Sequence, residues 1–266
     1  MSRLVRQPST ANPRLTEITV PEGETLFCAG DKADAVFIVA DGEIGIFSGE
    51  SGAMVASLVK GASFGEQAVV GTKQRLASAK AIRDSKVLEI PAANLASEID
   101  QRSPRLRLAF DALTIQLMQK NYLTEFIASG QEGVAKFNME SGSLGSTTAD
   151  RLVKNRDLNS VYVSDTSRLI DLIESGKGVV ITGGRGAIHK DGTTCEIGVG
   201  GVLGVAESIA MSKPIKSLSV LTPLNGVTID GDTAYQAFLQ LSAGLKGVVK
   251  GLIMRALDEN TVSDRF

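Results

Sequence analysis

Short apolar runs alternate with turn residues between Ile18 and Ile90, and this alternation restricts the possible folds more than any other feature of the chain. The runs occupy residues 26–27, 36–39, 44–47, 55–59, 77–81 and 87–90. Apolar runs of this length, bounded by Gly and Asp, predict β-strands joined by tight turns. The Asp41-Gly42 pair between two of the runs predicts a hairpin. Because many short strands at this spacing are typical of rolled sheets, we predict a jelly-roll-like β-roll.

A helical pattern follows the predicted strands. Residues 91–99 predict a short helix, and Ser103 followed by Pro104 is a typical helix start with the serine as N-cap. The longer helix is predicted over residues 104–129, and it carries two apolar stripes, which indicate two packing partners. One interpretation is that the first stripe contacts the β-roll and the second contacts another helix, which belongs either to the C-terminal half of the chain or to another subunit of a homo-oligomer. The other interpretation is a helix enclosed in a larger core.

Gly65, Glu66 and Arg75 form a candidate anion site within the strand-rich segment. Gly65 has no Cβ and lets the backbone approach a ligand, and the free amides that follow it can donate to a negative charge. Arg75 supplies a planar guanidinium that suits two phosphate oxygens. A carboxylate beside a phosphate is repelled unless it accepts hydrogen bonds from a neighbouring sugar hydroxyl. The three residues therefore indicate a phosphorylated sugar as the ligand.

The motif Phe64-Gly65-Glu66-x-Ala68, followed by Arg75-x-Ala77, resembles the phosphate-binding cassette of the cyclic nucleotide-binding domain family. That family includes the catabolite activator protein and the regulatory subunits of cAMP-dependent kinase. The preceding residues agree in order, with residues 21–24, then Gly30-Asp31-x-x-Asp34, then residues 36–39 and 42–44. The resemblance implies the β-roll of that family over the first half of the chain.

The same resemblance implies which residues bind the ligand. They are Gly65, Glu66, Gln67, Ala68, Arg75, Leu76 and Ala77. Arg75 and the amides of Gln67 and Ala68 are expected to bind the cyclic phosphate, and Glu66 the ribose. Leu76 stands where cGMP-selective relatives often carry a threonine, so we expect cAMP as the ligand. A cyclic nucleotide of another kind, cGMP or a cyclic dinucleotide, is the alternative.

The second half of the chain reads as a diverged copy of the first. Residues 37–46 align with residues 179–188, and with a one-residue slip Phe64-Gly65-Glu66 aligns with Val205-Ala206-Glu207. Arg75 then aligns with Lys216, which lacks the bidentate fork of arginine. The Ala206 methyl group would obstruct close approach of a ligand. We therefore predict that the second site, with Ala206, Glu207 and Lys216, is degenerate.

The fold class predicted from these patterns is mainly β with helices (α+β). It comprises two tandem jelly-roll-like β-roll domains, each followed by C-terminal helices. Residues 131–150 are rich in Gly, Ser and Thr and predict a linker. The predicted domains are therefore residues 1–130 and 151–266. The 28 glycines among 266 residues, against a usual fraction of about 7%, suit a fold with many tight turns.

Composition argues against several classes of function. The net charge of −2 provides no general attraction to nucleic acid or to anionic lipid. No apolar run approaches the ~18 residues of a membrane span, and the N-terminal residues lack the apolar region of a signal peptide. Cys28 and Cys195 are far apart and are expected to be free thiols in a reducing compartment. His189 is the only histidine and has no neighbouring ligand pattern for a metal.

We therefore expect a cytoplasmic cyclic nucleotide receptor, with cAMP as its ligand, that is not an enzyme and has no DNA-binding domain. No metal and no cofactor are expected, and neither nucleic acid nor membrane is an expected partner. The receptor is expected to signal by repositioning the helix at residues 104–129 and by binding an unidentified protein partner. The alternative is a scaffold or oligomerisation protein that retains the fold but acts without a ligand.

Overall fold

The computed structural model of the chain describes residues 4–10, 15–49, 51–66, 74–137, 159–212 and 217–257. The fold is mainly β with several helices, and its strands form two sheets, as the sequence predicts. None of the helices in these ranges has the length and apolar composition that crossing a membrane requires.

The first sheet contains seven strands within the described residues. They are β1 (Val5–Pro8), β2 (Thr16–Val20), β3 (Thr25–Phe27), β4 (Ala35–Ser48), β5 (Met54–Val59), β6 (Ser63–Phe64) and β7 (Ala77–Pro91). The order is β1-β2-β7-β4-β5, with β3 paired to β7 and β6 paired to β4, and all pairs are antiparallel. Inward-facing apolar residues of these strands form one core, which includes Ile18, Ile44 and Val87.

The second sheet contains six strands within the described residues. They are β8 (Ala135–Phe137), β9 (Asn159–Val163), β10 (Lys177–Lys190), β11 (Thr193–Ile197), β12 (Val202–Leu203) and β13 (Leu218–Asp230). The order is β8-β11-β10-β13-β9, with β12 paired to β10. Strand β8 pairs with β11 in parallel and lies inside the predicted linker, so that prediction is wrong for residues 135–137. Residues 138–150 of the linker lie outside the described residues.

The prediction of a hairpin at Asp41-Gly42 is wrong. Strand β4 continues through this pair, and its register with β7 shifts on both sides of it, which is the pattern of a β-bulge. Gly42 has a φ of +88°, and a Cβ added there would lie 2.4 Å from the Asp84 carbonyl oxygen. The glycine therefore admits the close approach of β7 and bends the strand instead of ending it. Gly184, with a φ of +81°, occupies the corresponding bulge of β10.

The helices are α1 (Ala92–Arg102), α2 (Pro104–Ala128), α3 (Thr166–Glu174), α4 (Val205–Ala210), α5 (Gly231–Phe238) and α6 (Ala243–Leu257). Helix α2 begins as predicted, since the Ser103 side chain accepts a hydrogen bond from the Arg105 amide at 3.2 Å and Pro104 is the first helical residue. Its residues from Leu106 to Leu117 are buried on every side of the helix, with the single exception of Arg107. The interpretation as a helix enclosed in a larger core therefore describes α2.

The chain divides into two compact units. The first unit comprises Met1–Gln101 with Ser242–Gly251, and the second comprises Arg102–Leu241 with Leu252–Phe266. The first unit therefore combines the first sheet with the start of α6, the helix that follows the second sheet. The second unit combines the second sheet with α2, the helix that follows the first sheet. This division differs from the boundary predicted at residue 130, because α2 packs against α4, α5, β8 and β12.

Candidate functional site

The backbone of Arg75 is held by the turn at Gly30-Asp31 in the first unit. The Arg75 amide donates to the Asp31 carbonyl oxygen at 2.7 Å, and the Gly30 amide donates to the Arg75 carbonyl oxygen at 2.8 Å. The Asp31 side chain accepts a hydrogen bond from the Cys28 amide at 2.7 Å, which fixes the turn itself. These bonds set the position from which the Arg75 side chain leaves the chain before β7 begins.

The guanidinium of Arg75 lies on a platform of aromatic rings. Its central carbon is 4.3 Å from the ring centroid of Phe27 and 5.2 Å from that of Phe37. Phe64 stacks on Phe37 with ring centroids 5.3 Å apart, so the three rings form one cluster. Because a planar cation on an aromatic face loses few further degrees of freedom when it binds a ligand, this arrangement preorganises the arginine.

Gly65 faces the Arg75 guanidinium. Arg75 Nη1 donates to the Gly65 carbonyl oxygen at 3.4 Å, a long hydrogen bond. The φ of Gly65 is +77°, and a Cβ added there would lie 2.6 Å from Arg75 Nη1 and 3.2 Å from the Ala35 carbonyl oxygen. Only glycine suits both the backbone conformation and the space. The structure thus brings together Gly65 and Arg75, two of the three residues of the predicted anion site.

Arg75 is 7% exposed, and burial lowers the pKa of its guanidinium from the usual value. Nearby carboxylates, first of all Asp34 and then Glu66, oppose this effect. Glu66 is itself buried, at 3% exposure. Arg75 Nε is buried and has no hydrogen-bond partner among the described residues. A buried cationic donor of this kind suits an anionic ligand that supplies both charge and acceptor oxygens.

Two of the remaining four predicted ligand residues, Leu76 and Ala77, are described by the structure. Gln67 and Ala68 lie outside the described residues. Leu76 is 39% exposed, and Ala77 begins strand β7 opposite Ser48. The sequence did not identify Phe27 and Phe37 as supports of Arg75. Their only signal was the position of Phe37 in an apolar run and of Phe27 just before the Gly30-Asp31 turn.

The second sheet repeats the register of the first around the short strand before the candidate site. Phe64 pairs with Phe37, the third residue of β4, and Leu203 pairs with Val179, the third residue of β10. A glycine with positive φ follows in each case, Gly65 in the first sheet and Gly204, with a φ of +71°, in the second.

The turn before the short strand is also repeated. The Gly61 amide donates to the Val39 carbonyl oxygen at 2.8 Å, and the Gly200 amide donates to the Ile181 carbonyl oxygen at 2.8 Å. The register therefore makes Gly204 the counterpart of Gly65, and the alignment of Gly65 with Ala206 is wrong by two residues. Lys216, the predicted counterpart of Arg75, lies outside the described residues.

Val205 then stands at the place of Glu66, and Ala206 at the place of Gln67. The Ala206 amide donates to Gln116 Oε1 at 2.8 Å, and Gln116 Nε2 donates to Glu207 Oε2 at 2.7 Å. Gln116 belongs to α2 and is 5% exposed. In the second unit, the Gln116 side chain therefore accepts the hydrogen bond of the Ala206 amide. The counterpart of this amide in the first unit is the amide of Gln67, which is predicted to bind phosphate.

Gln119, one helical turn further along α2, binds the strand itself. Gln119 Nε2 donates to the Val202 carbonyl oxygen, and the Val202 amide donates to Gln119 Oε1, both at 2.8 Å. The two glutamines thus fix α2 to β12 and α4 through four hydrogen bonds at buried positions.

Most of the first sheet matches a known protein family. Residues 17–102 match the family model of the cyclic nucleotide-binding domain. The predicted resemblance is confirmed for this part of the chain, which contains Gly65, Glu66 and Arg75. The match ends before α2, and a second copy is not confirmed by it. No curated protein matches the chain with significance.

Several solved structures resemble the chain in part. A protein from Geobacter metallireducens GS-15 described as a cyclic nucleotide-binding protein is 27% identical over 32% of this chain and 62% of its own, with a TM-score of 0.29. The N-terminal domain of a transcriptional regulator from Streptomyces coelicolor A3(2) is 25% identical over 33% and 65%, with a TM-score of 0.30. The cAMP-bound PfPKA-R is 13% identical over 93% and 82%, with a TM-score of 0.35. The chain thus spans less than two thirds of the length of the first two proteins.

Proposed function

We propose that this chain is a receptor for a cyclic mononucleotide, which binds in the first unit between Gly65 and Arg75. The observation that carries the proposal is the buried Arg75 guanidinium, supported by Phe27 and Phe37 and with its Nε unpaired among the described residues. The family match of residues 17–102 supports the same assignment. In this proposal Arg75 binds the cyclic phosphate and Glu66 binds the ribose.

The proposed ligand is cAMP. Leu76 offers no hydroxyl group, and its side chain is 39% exposed beside the arginine. A site that discriminates in favour of cGMP needs a polar partner for the guanine edge, and leucine supplies none. We expect cAMP to bind more tightly than cGMP.

The second unit is proposed to be a degenerate copy that does not bind the ligand. The shared strand register and the matching turn support the common origin. The hydrogen bond from the Ala206 amide to Gln116 supports the loss of binding, because the donor is already satisfied in a buried position.

We propose further that the chain acts in the cytoplasm by binding and not by catalysis. A protein partner is proposed to bind one conformation of the chain in preference to the other. Ligand changes the state only through a difference in its affinity for two conformations. The predicted moving element, residues 104–129, is joined to β12 and α4 by Gln116 and Gln119. These bonds fix α2 to β12 and α4, so repositioning of α2 is expected to involve these elements as well.

The test is a calorimetric titration with cAMP of wild type, Arg75→Ala and Arg185→Ala. Loss of a bidentate, charge-assisted contact costs about 2 kcal/mol, or about thirtyfold in Kd. Arg185 is the matched control, because it is an exposed arginine of the second sheet paired with Glu196 at 2.7 Å. Its removal should leave Kd within about twofold of wild type.

Equal affinity of wild type and Arg75→Ala would refute the assigned role of the arginine. The alternative function, a scaffold that needs no ligand, is favoured by the enclosed helix α2 and by the occupied donor of the second unit. That alternative would stand if wild type bound neither cAMP, cGMP nor a cyclic dinucleotide.

A further inference from the structure

We infer that helix α6 positions the candidate ligand site, and that Gly251 is the positioning residue through which it does so. The inference depends on the proposed function, since it names what holds that site in place. It concerns the first unit alone, which contains both the site and residues Ser242–Gly251 of the chain.

The start of α6 is fixed to helix α1. The Ser242 amide donates to Glu98 Oε1 at 2.6 Å, and the Ser242 hydroxyl donates to Glu98 Oε2 at 2.7 Å. The Lys246 amide donates to the Ser242 carbonyl oxygen at 2.9 Å and begins the helical hydrogen bonds. Glu98 thus anchors the N-terminal end of α6 within the first unit.

Two turns further on, α6 lies directly against strand β6. A Cβ added at Gly251 would lie 2.4 Å from Ser63 Oγ, 3.4 Å from the Ser63 amide nitrogen and 3.5 Å from Ser63 Cβ. Ser63 Oγ donates to the Val248 carbonyl oxygen at 3.4 Å, and Ser63 is fully buried. An alanine at position 251 would therefore displace the Ser63 hydroxyl from this position, whereas its other two contacts with Ser63 would have ordinary van der Waals length.

Ser63 is joined to the site by the next residues of the chain. Phe64 follows it in β6 and stacks on Phe37, on which Arg75 also lies, and Gly65 follows Phe64. Strand β6 is only two residues long, and its described pairing is to β4 alone. A strand this short has few bonds of its own, so the helix packed on Ser63 contributes to holding Phe64 and Gly65 in place.

The sequence supports a specific need for glycine at this position. Gly244, Gly247 and Gly251 all lie in α6, and each has a lower helix propensity than alanine. Gly247 meets no described atom within 4 Å of an added Cβ, whereas Gly251 meets Ser63. Of these three glycines, Gly251 is the one that lies close to Ser63 in strand β6.

The experiment compares Gly251→Ala with Gly247→Ala by titration with cAMP, at a temperature where thermal melts show each variant fully folded. Both substitutions give the helix the same gain in propensity, but only Gly251→Ala pushes a methyl group into Ser63. We expect Kd to rise at least fivefold for Gly251→Ala and to stay within twofold for Gly247→Ala. Adding Ser63→Ala to Gly251→Ala removes the hydroxyl and should restore Kd to within about twofold of the Ser63→Ala single variant.

A second measurement covers the case in which Gly251→Ala does not fold. Amide hydrogen exchange of wild type, with and without cAMP, should show slower exchange in residues 243–251 when the ligand is bound. A purely structural contact would leave this exchange unchanged by ligand.

The outcomes separate the two claims. If wild type binds no cyclic nucleotide, the proposed function fails and this inference fails with it. The inference is overturned, and the proposed function stands, if wild type binds cAMP but Gly251→Ala has the same Kd as Gly247→Ala. The same conclusion holds if cAMP leaves the rate of amide hydrogen exchange in residues 243–251 unchanged.

Discussion

Substituting Gly65 with alanine should separate the two demands that the structure places on this residue. The φ of +77° costs a non-glycine residue about 1–2 kcal/mol, and the new Cβ would lie 2.6 Å from Arg75 Nη1 and 3.2 Å from the Ala35 carbonyl oxygen. The guanidinium and the Ala35 backbone cannot both keep their places beside a methyl group. We therefore expect loss of stability from the backbone and loss of binding from the displaced arginine.

Gly61→Ala is the matched control for this substitution. Gly61 has a φ of +89°, similar to that of Gly65, and no described atom lies within 4 Å of an added Cβ. Both variants should lose about 1–2 kcal/mol of unfolding free energy in urea. Only Gly65→Ala should lose cAMP affinity, by about thirtyfold if the full contact of about 2 kcal/mol is lost.

The assay is a urea unfolding curve and a calorimetric titration for each variant. The reasoning is refuted if Gly65→Ala binds cAMP as Gly61→Ala does. It is also refuted if Gly61→Ala loses as much affinity as Gly65→Ala, because the backbone strain alone would then explain the loss.

Three further predictions concern the buried residues Gln119 and Cys195. Gln119→Ala removes the partner of both the amide and the carbonyl group of Val202, so the free energy of unfolding measured in urea should fall by about 2–5 kcal/mol. Gln101 is exposed, and Gln101→Ala should lower the free energy of unfolding by less than about 0.5 kcal/mol. Equal effects of the two substitutions would contradict the role of Gln119. Burial raises the pKa of the Cys195 thiol to about 11, while Cys28 is exposed, so at pH 8 a thiol reagent should modify Cys28 quickly and Cys195 only on unfolding. Because the folded state keeps the Cys195 proton that the unfolded chain releases above about pH 9, its contribution to stability should fall as pH rises towards 11, and Cys195→Ala should lack this slope.

The strands of the first sheet and the start of helix α2 were predictable because they depend on local patterns. Ser103 and Pro104 set the beginning of α2, and apolar runs set the positions of most strands of the first sheet. The bulge at Gly42 was mistaken for a hairpin, because an Asp-Gly pair suits both and only the close approach of Asp84 decides between them. Helix α3 was missed although its signals are present, namely Asp165 as N-cap and Leu169 with Ile173 on one face.

The candidate site was predictable in part for the same reason. Gly65 and Arg75 were recognised from their spacing, but the aromatic support of Arg75 depends on contacts between distant strands. In the second sheet, aligning Glu66 with Glu207 by residue type gave the wrong register, since backbone conformation at Gly204 and strand pairing decide it. Neither the packing of α2 on the second sheet nor that of α6 on Ser63 is encoded in any local pattern.

The stoichiometry of cAMP binding tests the central claim most directly, because the account assigns one working site to each chain. A calorimetric titration of the wild-type protein should give one cAMP per chain, and the same titration of Arg75→Ala should show a Kd about thirtyfold higher. Two molecules per chain would show that the second unit also binds, and none would show that the buried Arg75 does not serve a cyclic phosphate.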